Sequence, residues 1–101
     1  MLKIKKGVQP PIVYISAVIA NVAEHRNITL TITSGLDGKH SKYSGHYQLR
    51  CLDVRSKNLV DKDGIKADIY SGMELYFPPE RIYVEIQNRG KRNEHIHAQF
   101  K

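Results

Sequence analysis

At 101 residues, 41% of them hydrophobic, the chain has the length and apolar content of one globular domain, which excludes a disordered chain. Its single cysteine, Cys51, excludes an internal disulfide, so stability must come from packing, alone or with a metal. A formal charge of +6 favours anionic partners, but the basic residues are scattered outside KIKK and RGKR, and six dispersed tyrosines without tryptophan offer no stacking platform for nucleic acid.

The N-terminal MLKIKKG followed by IVYISAVIANVA imitates a secretory signal: a basic start, an apolar run and small residues at its end. Pro10 and Pro11 open that run, however, and Tyr14, Ser16 and Asn21 interrupt it. Ile12, Ile15, Val18, Ile19 and Val22 recur at helical spacing, and proline is well placed at a helix start. The expected element is a core-packing helix over roughly Pro11 to Glu24. No other stretch is long and apolar enough to cross a membrane.

NITLTITSG alternates Ile28, Leu30 and Ile32 with threonines, the pattern of a half-buried strand. Gly35 to Gly45 reads as a loop, and Leu49 to Val54 as a second strand with Leu49, Cys51 and Asp53 on one face. Leu59, Ile65, Ile69 and Met73 give a helical pattern broken by Gly64 and Gly72 and ended by Pro78-Pro79. IYVEIQ and EHIHAQF are predicted to form a hairpin around NRGKR. If Arg89-Gly90-Lys91 makes a three-residue turn, Glu85 lies opposite His95. The fold class expected is α+β, a small antiparallel sheet with one or two packed helices, in one domain over residues 1–101.

Four of the five histidines fall in two short segments, GKHSKYSGHYQLRCLD and NEHIHAQFK. His95 and His97, two apart on a strand, share a face with Cα atoms about 6.5–7 Å apart. One can ligate a metal while the other faces a substrate. His46 and Asp53 are seven apart and point to opposite faces of an unbroken strand. Both reach one ion only if His46 sits in a loop or bend, which Gly45 makes cheap. A histidine pair on a strand is more often a surface or hydrogen-bonded feature. Four histidines, an aspartate and nearby glutamates in so short a chain nevertheless make a metal site a candidate.

GKHSKYSGHYQLRCLD, with EHIH near the C-terminus, resembles the motifs of the zinc peptidases of the D-Ala-D-Ala carboxypeptidase type. That superfamily includes the hedgehog signalling domain and small phage endolysin-like proteins. The resemblance runs essentially from the first helix to the last strand and rests on two motifs in the right order. It implies a hedgehog/DD-peptidase-like fold with Zn²⁺ held by His46, Asp53 and His97. His95 would stand over the substrate to stabilise an oxyanion, and Ser44 and His40 would hold substrate. Glu94, three residues before His97, and Glu85, on the preceding strand, are rival general bases. The implied substrate is a peptidoglycan peptide cut next to a D-amino acid by a monomeric phage or prophage protein. Such a protein would be made in a bacterial host's cytoplasm and act on the cell wall. In this chain Leu49 replaces the family's glycine, a bulky change at the pocket. Cys51 replaces its alanine and is expected to pack in the core. The alternatives are a non-catalytic zinc-containing binding module of the same fold and a small basic nucleic-acid binder.

Overall fold

The computed structural model describes residues 10–34 and 50–101. The first helix, α1, spans Pro11–Arg26 with proline at its start and buries Ile12, Ile15, Val18, Ile19 and Val22, the stripe read from the sequence. Asn27 ends it in the left-handed region (φ 54°), where asparagine is tolerated, and its N–H returns to the Glu24 carbonyl. The next N–H, of Ile28, bonds back to the Ala23 carbonyl. The cap takes up Asn27 and Ile28 at the start of the expected strand, and β1 is only Ile32–Ser34. Ile28 and Leu30 still pack against the core from outside the sheet.

Strand β2 spans Cys51–Arg55, and α2 spans Lys62–Met73, starting after Leu59, the first residue of the helical pattern read from the sequence. Asp61 begins α2 by accepting a bond from the Gly64 N–H, while Ile65, Ile69 and Met73 face inward. A short 3-10 turn, Pro79–Arg81, leads into β3, Ile82–Gln87, and β4 is His95–Phe100. The sheet is antiparallel in the order β1-β2-β4-β3. The result is a small α+β fold of two helices and a four-stranded sheet, as expected.

Period-two alternation divides the sheet into two faces. Leu52, Val54, Ile82, Val84, Ile96 and Ala98 point to the helices and form one core with the apolar faces of α1 and α2. Gly72 sits where α2 meets α1: a Cβ built there would lie 2.5 Å from Val18 Cγ1. Arg26 joins the same two helices by bonding Asp68 at 2.6 Å and Asp61 at 3.2 Å. On the opposite face stand Cys51, Asp53 and Arg55, then Gln99, His97 and His95, then Tyr83, Glu85 and Gln87, in register across β2, β4 and β3. Cys51 is therefore not a core residue. It shares the face of Asp53, half-buried, while Leu52 and Val54 take the core positions.

The hairpin differs from the three-residue expectation. Seven residues, Asn88 to Glu94, separate β3 from β4, and Glu85 pairs with His97 while Gln87 pairs with His95. The loop closes by its own hydrogen bonds, Lys91 N–H to the Asn88 carbonyl and Glu94 N–H to the Lys91 carbonyl. Asn88 (φ 55°) and Gly90 (φ 82°) supply the left-handed turns. A shift of two residues keeps every side chain on its expected face, because the strand period is two.

Candidate metal centre

Strands β2 and β4 lie side by side, and their register places Asp53 directly beside His97, with His95 two residues along on the same face. Donor atoms of Asp53, His95 and His97 all lie within 4.8 Å of one another. His97 Nδ1 is 2.7 Å from Asp53 Oδ1, and His95 Nε2 is 3.8 Å from the same oxygen. Side-chain exposure is 18% for each histidine and 23% for the aspartate, so the cluster is sheltered yet open to a small ligand. Ligand atoms about 2.0–2.2 Å from a tetrahedral zinc stand roughly 3.3–3.6 Å apart. The two measured separations bracket that spacing, and one carboxylate with two imidazoles is a donor set that zinc accepts. Asp53, His95 and His97 are thus a possible metal-binding set, their donor atoms needing only small shifts to reach that spacing.

Each imidazole is also held from its far side. His97 Nε2 donates to Gln99 Oε1 at 2.9 Å, and His95 Nδ1 donates to the Asn93 carbonyl at 2.9 Å. His95 Nε2 lies 2.9 Å from Gln87 Oε1. Gln99 and the Asn93 carbonyl, on the far nitrogens, can fix ring orientation as outer partners do at metal centres, whereas Gln87 meets the His95 nitrogen that faces Asp53. The Tyr83 ring stands edge-on to His97, centroids 5.9 Å apart. Asp53 accepts the His97 Nδ1 proton and so raises the histidine's pKa above its ordinary 6.5, with burial opposing. Burial, then the neighbouring Asp53 charge, raises the Cys51 thiol, which keeps it protonated at neutral pH.

The candidate bases have separate fates. Glu94 is buried at 3% exposure. Its carboxylate accepts from Ser56 Oγ at 2.6 Å, Lys62 Nζ at 2.8 and 3.0 Å, and the Gly90 N–H at 3.0 Å. Those donors, led by the Gly90 N–H, lower its pKa from 4.5 to about 2. Glu94 thus ties the hairpin loop to β2's end and to α2, on the helix side of the sheet. Glu85 stands opposite His97, half-exposed, with Lys66 Nζ 3.5 Å from its carboxylate.

Of the residues singled out from sequence, the structure brings Asp53, His95 and His97 together and sets Glu85 beside them. His40, Ser44, His46 and Leu49 lie outside the described residues. Sequence reasoning missed Gln87 and Gln99, which the parity of their strands would have placed on the histidine face. It also missed Arg55, whose spacing of two from Asp53 carries the same signal. No known protein-family model, curated protein or solved structure matches the chain. Among the described residues, no helix is long and apolar enough to cross a membrane.

Proposed function

We propose that the chain is a zinc peptidase of the hedgehog/DD-peptidase-like fold, hydrolysing an amide bond beside a D-amino acid in bacterial cell-wall peptides. The observation that carries this reading is the convergence of Asp53 and His97, from strands far apart in sequence, on one open face with His95 at their side. Asp53 and His97 are the two ligands common to the geometry and to the family resemblance. The third is His46 by resemblance or His95 by proximity.

Zinc bound there would polarise a carbonyl and acidify water. The chain's own residues supply the remainder. If His46 completes the ligand set, His95 in its doubly protonated form, with Nδ1 donating to the Asn93 carbonyl, could donate from Nε2 to the oxygen that gains charge as the carbonyl is attacked. Glu85, on the same face and opposite His97, is the better proton acceptor. Its partner Lys66 is an exposed ion pair of the kind worth only about 0–1 kcal/mol, so the carboxylate can turn toward the site. Glu94 suits the role poorly, because a carboxylate held at about pH 2 by three donors takes up protons reluctantly.

The alternative, a zinc-containing module of the same fold without peptidase activity, is favoured by one observation. Both glutamates have their carboxylates engaged elsewhere, with Lys66 and with the Ser56–Lys62–Gly90 set. The test is metal content on the purified chain and on H46A, D53A, H95A and H97A, followed by cleavage of a peptide ending in D-Ala-D-Ala. About one zinc per chain, lost in D53A and H97A, with cleavage abolished in E85Q, supports the peptidase. Zinc without cleavage supports the module, and a chain that takes up no zinc sinks both.

A further inference from the structure

The basic motif RGKR, Arg89 to Arg92, has no part in the proposed chemistry and lies in the loop between β3 and β4. Buried contacts pin that loop to the end of β2. Ser56, fully buried, donates from Oγ to Glu94 Oε2 at 2.6 Å and from its N–H to the Glu94 carbonyl at 3.4 Å. The Gly90 N–H and Lys62 Nζ donate to the same carboxylate. This link joins two basic segments, Arg55 with Lys57 and Lys91 with Arg92, all four side chains exposed. Arg55 and Arg92 line one depression of about 260 Å³ together with Thr33, Asn93, Glu94 and His95.

Charge balance there differs from the rest of the described surface. Arg26 pairs with Asp61 and Asp68, and Arg89 with Asp63, while Arg50 and Arg81 lie over the Phe100 ring. Among the described residues, Arg55 and Arg92 have no carboxylate partner. The one carboxylate in the lining, Glu94, is taken by Lys62, Ser56 and Gly90, which leaves the two guanidiniums to set the sign. Like charges in one concave place repel, and an anion between them relieves the repulsion. Guanidinium forks match phosphate oxygens bidentately. A phosphate monoester carries about −1.5 to −2 charges and three acceptor oxygens at neutral pH, which suits two guanidiniums better than a singly charged carboxylate or diester. The described lining holds no tyrosine or phenylalanine on which a nucleobase would stack. Its volume lies just below the ~300 Å³ at which ligand clefts commonly begin, the size of a phosphate ester of a few carbons. We propose that Arg55 and Arg92 form a seat for a phosphate dianion, either free or carried by a small monoester. The seat depends neither on a metal nor on the peptidase reading.

The experiment titrates the full, metal-free chain with inorganic phosphate, glycerol phosphate, dimethyl phosphate and acetate, read by NMR at the arginine Nε–Hε signals. Inorganic phosphate and glycerol phosphate should each bind about tenfold more tightly than dimethyl phosphate or acetate, and both arginines should shift. Glycerol phosphate binding ahead of inorganic phosphate supports the seat with a small ester as its occupant, and the reverse order supports it with free phosphate. R55Q/R92Q should lose about tenfold or more in affinity at an unchanged melting temperature. R55K/R92K keeps both charges but loses the forks, and should lose most of the preference for the dianions. Equal binding of the four probes, or full affinity in R55Q/R92Q, overturns the proposal. Wild-type behaviour in R55K/R92K overturns it too, since a diffuse positive field would then account for the binding. An oligothymidylate that binds far more tightly than any small probe, with steep salt dependence, overturns it in favour of a nucleic-acid track.

Discussion

Glu94 in the hairpin loop and His97 on β4 show how environment gives two titratable groups opposite pH dependences. Glu94 is depressed from 4.5 to about 2, so the stability it confers is present above pH 4.5 and lost as pH falls from there toward 2. Thermal melts of the metal-free protein should therefore weaken through that window. E94Q should flatten the dependence while lowering the melting temperature at pH 7. Its neighbour Ser56, fully buried, should cost about 1 kcal/mol on conversion to alanine. His97 carries the opposite sign. Its pKa is raised, so its pairing with Asp53 stabilises the metal-free fold below pH 6.5 and fades as pH climbs through the raised value. Zinc needs the neutral ring, so proton and metal compete for one nitrogen. Zinc affinity should then rise with pH by about tenfold per unit for each proton displaced, read as proton release in calorimetric titrations in two buffers. Q99L, which removes the bond to His97 Nε2, should weaken zinc binding by about 10–100-fold without changing the fold.

At the scale of elements, the α1–α2 contact decides how closely the helices approach one another over the sheet. Gly72 is a poor helix residue by about 1 kcal/mol relative to alanine, yet alanine there meets Val18 at 2.5 Å. G72A is expected to destabilise by about 1–3 kcal/mol in denaturant melts despite its better propensity. V18A should offset part of that loss in the double variant, because the two sites share one contact. Element types were largely legible: Ile12 to Val22 announced α1, and IYVEIQ announced β3 with both ends right. Ends set by local capping were not. The Asn27 cap took Ile28 out of the expected strand, and the bond from the Gly90 N–H to Glu94 Oε1 belongs to a loop wider than the turn residues suggested.

Across the whole molecule, metal and fold should be thermodynamically linked, since Asp53 and His97 are neighbours only in the folded sheet. Zinc at about a thousand times its dissociation constant should stabilise the chain by about 4 kcal/mol. For a domain of this size that is a rise in melting temperature of at least ~10 °C. A melting temperature indifferent to zinc would remove the metal centre, and the peptidase with it. The sequence by itself determined the α+β class, the two-faced alternation of each strand and the pairing of His95 with His97 on one face. Those follow from periods of 3.6 and 2, which are local. Only the tertiary structure decided that β2 and β4 are neighbours, which sets Asp53 beside His97 and Arg55 beside His95. It alone turned Cys51 out of the core, set Glu85 opposite His97 rather than His95, and gathered Arg55 and Arg92 into one depression. Which strands pair, and in what register, depends on how the whole core closes, and no window of the chain contains that information.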